Sequence, residues 1–305
     1  IVNASAMTYY DVRLPGLPMT VVQADGQNIQ PVETEELRIA VAETYDVIVT
    51  LPDDRAYTLF AETMDRSGYA RGTLAPRRGM AAPVPEQRRR PMLTMADMGH
   101  GGHSMGHGDE GMDMTGADEH AGHDMGADAP PAATPADEHA GHDMGDGPMP
   151  VMEMGGANLR MPGTLPESEM HGSDEHGSGN AGVAMEAMSR LHEAGVGLGE
   201  DGWRVLRYTE LEARERRPNF RPPDRELVMH LTGNMERYMW SIDGVHLRDA
   251  APIELTLGER IRLTMINDTM MNHPMHLHGM WMEIENGHGE MIPRSHMVVV
   301  KPAEK

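Results

Sequence analysis

A break in composition decides what this chain can build. Residues 92–158 contain no Lys or Arg but thirteen Asp or Glu. Out to residue 180 the sequence is Met, His, Gly, Asp and Ala with almost no branched aliphatics. Such a stretch cannot bury enough apolar surface to offset the entropy of ordering it, so residues 92–180 are expected to be disordered. The fold must therefore come from the two flanks. Residues 76–91 are rich in Pro and Arg and read as a linker, with Arg88-Arg89-Arg90 as a solvated run. Together with the Gly-rich approach to Trp203, residues 76–202 form one linker and low-complexity zone, in which a short helix is expected over 183–202 from Met185, Met188 and Leu191.

The flanks read as β structure. In residues 1–75, Val21 and Val22 lead into the turn pair Asp25-Gly26, and Leu37, Ile39 and Val41 alternate with polar residues. Strands over 45–51 and 56–63 follow, separated by Pro52-Asp53-Asp54. Short period-two runs with turn signals between them indicate a sandwich or barrel. After Trp203 the pattern returns. Leu227, Met229 and Leu231 alternate, as do Ile253, Leu255 and Leu257, then Ile261, Leu263 and Met265. Trp240-Ser241-Ile242 runs into the turn Asp243-Gly244, Asp249 is also expected in a turn, and Asn286-Gly287 signals a hairpin. The expected fold is all-β, two sandwich units separated by a long insertion.

Charge narrows the function. With 26 Lys and Arg against 48 Asp and Glu, the net charge of −22 repels phosphate and attracts cations, so no nucleic-acid partner is expected. No apolar run is long enough for a transmembrane helix. Cysteine is absent, which excludes disulfides and thiolate ligands from these residues. Methionine and histidine are abundant instead, at 30 and 17 residues. Thioether is a soft ligand and imidazole a borderline one, a pairing that points to copper. The first residues read as a strand with no basic-then-apolar leader, and both ends read as cut.

Two constellations could hold metal. His273-Pro274-Met275-His276-Leu277-His278-Gly279 places three imidazoles within six residues. In an extended chain His276 and His278 share a face, Pro274 keeps His273 extended, and Gly279 permits an unusual dihedral. Zinc is the chemical competitor, but no H-E-x-x-H base accompanies the histidines and the methionines favour copper. The second constellation is the low-complexity stretch. Asp118-Glu119-His120-Ala121-Gly122-His123-Asp124-Met125-Gly126 recurs, residue for residue, nineteen positions later at 137–145, bringing His139, His142 and Met144. With His100, His103 and His107, these His-x-x-His-x-Met units form an auxiliary copper-capture set. Met270 and Met271, just before His273, are candidates for a soft entry point. Asn3-Ala4-Ser5 and Asn267-Asp268-Thr269 match a glycosylation triplet that is common by chance.

The histidine motif, continued by Met280 and Trp281, resembles the H-P-x-H-L-H-G signature of multicopper oxidases. Leu231-Thr232-Gly233-Asn234-Met235-Glu236-Arg237-Tyr238-Met239-Trp240 resembles the copper-resistance protein A branch. So do Ala24-Asp25-Gly26-Gln27, Glu43-Thr44-Tyr45-Asp46-Val47 and Met64-Asp65-Arg66-Ser67-Gly68-Tyr69. The resemblance implies cupredoxin-like domains, with residues 1–75 the later part of a second domain and 203–305 an incomplete third. It implies copper in type 1, type 2 and type 3 centres, with His273 on the type 1 copper, His276 on type 2 and His278 on one of the type 3 pair. The family's N-terminal His-x-His motifs and C-terminal His-Cys-His segment are missing, so the remaining ligands are expected from elsewhere in the parent chain and these residues alone should be inactive. The implied activity is oxidation of Cu(I), with phenols as further substrates, coupled to reduction of dioxygen to water in the periplasm. The competing reading is a periplasmic copper-sequestering protein without oxidase activity.

Overall fold

The Asp25-Gly26 pair shows how the local rules set the first sheet. Both residues take left-handed backbone, φ 48° and 71°, and close the hairpin between two neighbouring strands. The computed structural model describes residues 1–94, 97, 99, 158–160, 168–170, 184, 186–234 and 239–305. All of these belong to one compact unit built from residues 1–103 and 153–305. It is all-β among the described residues, apart from two single-turn 3₁₀ segments at Tyr208–Glu210 and Gly289–Met291.

The N-terminal flank supplies β1 (Tyr10–Arg13), β2 (Met19–Ala24), β3 (Gln27–Thr34), β4 (Glu36–Ile39), β5 (Tyr45–Ile48), β6 (Tyr57–Thr63) and β7 (Tyr69–Leu74). They form two sheets, ordered β4-β1-β6-β7 and β3-β2-β5. One face of each meets the other in a core of Val12, Leu14, Met19, Val21, Ile29, Leu37, Ile39 and Tyr45. Leu206 and Leu211 complete that core from far along the chain. Their segment bridges to the sheets at Glu36–Val205 and Ile29–Ala213.

The other face of the four-stranded sheet buries charge. Asp11, Glu36 and Glu62 are all fully buried. Arg38 and Arg66 pair with Asp11 at 2.7 and 2.5 Å. Arg88 joins Glu36 at 2.5 Å, Glu62 at 2.9 Å and Asp201 at 3.0 Å. Burial works to raise the Asp11 carboxyl, but the two guanidiniums outweigh it and hold it below the ordinary range. At Glu36 burial wins and the carboxyl is pushed up. The expectation of a solvated Arg88-Arg89-Arg90 run is thus corrected at its first residue. Arg89 and Arg90 are exposed, whereas Arg88 is drawn inward because three carboxylates without it would lie buried beside too few cations.

The same network gathers both ends of the low-complexity zone. Arg38 and Arg66 donate to the carbonyls of Val196 and Gly197 at 2.9 and 3.3 Å. A side chain at Gly197 would press its Cβ to 2.5 Å from Pro91 Cβ, so the return strand can pass only as glycine. Arg190 spans Asp97 (2.6 Å), Glu193 (2.5 Å) and the Pro302 carbonyl (2.6 Å). The helix expected over 183–202 is absent among the described residues. Instead there is a short strand, Glu186–Met188, followed by turns in which Gly195, Gly197, Gly199 and Gly202 all have positive φ. Four left-handed glycines cannot propagate a right-handed helix.

Three short strands lie in or beside the low-complexity zone: β8 (Asn158–Arg160), β9 (Ser168–Met170) and β10 (Glu186–Met188). The C-terminal flank gives β11 (Arg225–Asn234), β12 (Met239–Ile242), β13 (Ile261–Asn267), β14 (His273–His276), β15 (Met282–Glu283), β16 (Arg294–Ser295) and β17 (Met297–Val300). β11 pairs in parallel with β13 and antiparallel with β12 and β8, and is buried on both faces at Leu227, Val228 and Leu231. The turn at Asp243-Gly244 is present, with φ 51° and 74°. The strand expected through Ile253, Leu255 and Leu257 is not formed. Leu257 is fully exposed, and Thr256 turns the chain by accepting from the Glu259 amide at 3.0 Å. Among the described residues no strand pairs with this stretch, so alternation alone does not make it a strand. Asn286-Gly287 sits in a broader reversal between β15 and β16 than a two-residue hairpin, because the Asn286 amide is turned inward to the Tyr208 and Leu211 carbonyls, 2.7 Å each.

The two flanks repeat one hydrogen-bonded frame. Asn3 donates its backbone N–H to Glu43 O and its side-chain amide to Ile39 O, at 3.2 and 3.1 Å, while Ser5 donates back to Asn3 Oδ1. Asn267 donates likewise to Glu304 O and Val300 O, at 2.9 and 3.0 Å, while Thr269 donates back to Asn267 Oδ1. Glu43 Oε2 accepts from Ala40 N and Glu304 Oε2 from Lys301 N, both at 2.6 Å. Ala42 and Ala303 occupy the matching left-handed positions, φ 67° and 54°. Both Asn-x-Ser/Thr triplets are therefore turn frames built around a buried Asn. In this correspondence Tyr9, Val12 and Leu14 stand where His273, His276 and His278 stand in the C-terminal flank.

Candidate metal centre

The frame around Asn267 delivers the chain into β14, which pairs with β17 from His273–Val300 to His276–Met297. Alternation along β14 sends His273 and Met275 to one side and His276 to the other. On the first side, His273 Nε2 lies 2.8 Å from Thr269 Oγ1, and the ring of Trp240 meets the imidazole edge-on with centroids 4.8 Å apart. Burial lowers the His273 pKa to about 4, so the ring is neutral, with a lone pair to offer, throughout the neutral range. Asn272 donates to Met64 Sδ at 3.2 Å, tying this approach to the N-terminal flank.

On the other side, the rings of His276 and His278 lie 5.1 Å apart. Gly279, φ 82°, then turns the chain away. A fourth imidazole, unmarked in the sequence reading, joins them. His296 packs edge-to-face on His276 at 5.6 Å and against Trp281 at 5.4 Å. Its backbone carbonyl is 2.5 Å from His276 Nδ1, and its own Nδ1 is buried without a hydrogen-bond partner in the described structure. Nothing local in Arg294-Ser295-His296-Met297 marks this residue. Only the pairing of β14 with β17 brings it beside the motif.

Among the described residues no three His, Cys, Asp or Glu side chains close on a common metal position. What is present is a partial donor set: paired imidazoles on one face, a neutral imidazole on the other, and an orphaned ring nitrogen beside the pair. Nitrogen donors divided in this way fit copper, which imidazole binds in either oxidation state. The auxiliary set His100, His103, His107, His120, His123, Met125, His139, His142 and Met144 lies outside the described residues. A cavity of about 50 Å³ opens between Glu43, Tyr45, Tyr208, Asn272 and Lys301.

Family comparison agrees with this division of the chain. Multicopper oxidase family models match residues 1–78 and residues 220–305. The chain belongs to the multicopper oxidase family, with the cupredoxin-like β fold and the copper cofactor that membership carries. Within that family it is similar to Copper resistance protein A of Escherichia coli, at 49% identity over all of this chain and 49% of that protein. It is 46% identical to the Copper resistance protein A homolog of Pseudomonas syringae pv. tomato, over all of this chain and 48% of that protein. The chain thus spans about half the length of the curated relatives it matches. The solved structure of Fet3p, a multicopper oxidase that functions in iron import, aligns with a TM-score of 0.46 at 12% identity, over all of this chain and 48% of that one, too loosely to bear on the site. No helix among the described residues is long and apolar enough to cross a membrane.

Proposed function

We propose that these residues are an internal portion of a periplasmic copper-resistance oxidase that oxidises Cu(I), and phenols as further substrates, and reduces dioxygen to water. The observation that carries this reading is the separation of half-buried, neutral His273 on β14 from the His276 and His278 pair. His273 would ligate a type 1 copper, His276 a type 2 copper and His278 one of a type 3 pair. Copper held by these residues would supply one-electron oxidation of substrate and reduction of dioxygen. In this reading β14 sets His273 to one side and His276 to the other, with His278 following just beyond the strand end. Thr269 and Trp240 fix the His273 ring, and the β14–β17 ladder fixes the spacing to the other two. Residues 1–75 and 203–305 are read as parts of successive cupredoxin-like domains. The remaining ligands, including a thiolate, would come from outside these residues, which would be inactive by themselves.

The methionines and histidines of the intervening stretch are read as copper capture, from His100 through Met144. The −22 charge supports cation recruitment. The test is to load the full-length polypeptide with copper, record the thiolate-to-copper absorption, and follow oxygen uptake on addition of Cu(I). A blue band with oxygen uptake that His276→Ala abolishes is expected. Copper binding with histidine-type spectra only, and no oxygen uptake, would replace this reading with sequestration.

A further inference from the structure

Asp25 stands at the tip of the β2–β3 hairpin, in the N-terminal flank, and its side chain is buried. Both carboxylate oxygens are engaged. Oδ1 accepts from Thr44 N at 2.9 Å. Oδ2 faces the corner between β16 and β17, where it accepts from the backbone N–H groups of His296 and Met297 at 3.2 and 3.3 Å and contacts Ser295 Oγ. That corner carries the His296 carbonyl, which lies 2.5 Å from His276 Nδ1. A neutral imidazole has one ring proton. Placed on Nδ1 and donated to this carbonyl, it leaves Nε2 with its lone pair outward. In water the ring would populate both tautomers, and His276 is otherwise exposed.

We propose that Asp25 is a positioning residue for His276: by gathering the 295–297 corner it aims the His296 carbonyl at Nδ1 and so presents Nε2 for metal. This rests on reading His276 as a copper ligand. Asp25 lies far from the histidine motif in sequence, at the tip of the β2–β3 hairpin, and reaches the corner through the corner's backbone N–H groups and Ser295 Oγ, while its Oδ1 also lies 3.5 Å from His296 Nε2. A carboxylate suits the task because it only accepts. An amide at this position would turn N–H groups toward either Thr44 N or the corner N–H groups, both of which are donors.

The test begins without metal. In ¹⁵N-labelled, metal-free protein, long-range ¹H–¹⁵N spectra, assigned with His276→Gln, should show the Nδ1–H tautomer at His276. Asp25→Ala and Asp25→Asn should shift it toward Nε2–H, and Cu(II) affinity should fall by about 10–100-fold, the usual effect of losing an outer-shell partner. Should both variants fail to fold, Ser295→Ala, which keeps the carboxylate, is read in the same way and should give a smaller shift. An Nε2–H tautomer in the unaltered protein, or an unchanged tautomer in a folded variant, overturns the proposal. A tautomer that responds to Asp25 while Cu(II) binding ignores His276→Gln leaves the positioning intact and removes the copper reading instead.

Discussion

The phenol of Tyr208 donates to Glu43 Oε1 at 2.5 Å, across 165 residues of sequence. Glu43 is buried, and desolvation, reinforced by the charge of Asp25, raises its pKa to about 7, against the lowering effect of Tyr208 and the Ala40 amide. A carboxyl raised in the folded state binds its proton more tightly there than in the unfolded chain. Its contribution is complete below the unfolded value of 4.5 and is lost as pH rises to about 7. Denaturant titrations should therefore show stability falling across that window, by at most roughly 3 kcal/mol from this group. Glu43→Gln should flatten the slope, and an unchanged slope in that variant would remove Glu43 as its source.

Arg88 and its two neighbours should behave very differently. Arg88→Ala leaves Glu36 and Glu62 buried beside fewer cations and should cost about 3–5 kcal/mol in chemical denaturation. Arg89→Ala and Arg90→Ala should stay within roughly 0.5 kcal/mol. Equal effects at all three positions would return the run to the solvated linker that its sequence describes.

The paired frames make a symmetric prediction. Asn267→Ala removes donors to the Met271, Val300 and Lys301 carbonyls, and Asn3→Ala removes donors to Thr8 and Ile39. Each should lower stability by about 3 kcal/mol, as orphaned buried carbonyls do. Only the Asn267 change should also disturb the His273 ring signals, because only that frame continues into β14.

Removing residues 104–152, a stretch too poor in branched aliphatics to supply core, should leave the melting temperature within about 3 °C. Copper bound per chain should fall at the same time. A deletion extended to 92–180 should be far more damaging, because it takes Asp97 from Arg190 and β8 and β9 from their partners. Copper stoichiometry unaffected by the shorter deletion would end the capture role.

Much of the fold is legible in the sequence because strand alternation and turn chemistry are local. Asp25-Gly26 and Asp243-Gly244 announce their turns, and His276 and His278 share a face by parity alone. The failures have a common physical origin in partners distant along the chain. Arg88 is drawn inward by carboxylates on β4 and β6, and four left-handed glycines exclude the helix that Met185, Met188 and Leu191 suggest. Leu255 and Leu257 alternate correctly yet find no neighbouring strand among the described residues. His296 and Asp25 belong to the site through the β14–β17 ladder and the β2–β3 hairpin, which no spacing within either segment encodes.

The two-sided display along β14 also makes the motif intolerant of length change. One codon gained or lost between His273 and His276 would exchange inside for outside and put all three imidazoles on a single side. Insertions of two would keep the sides but slide the pair a full pleat along β17, away from the His296 carbonyl. Drift in this stretch is therefore confined to substitution, and its spacing should outlast the identity of the residues between the histidines.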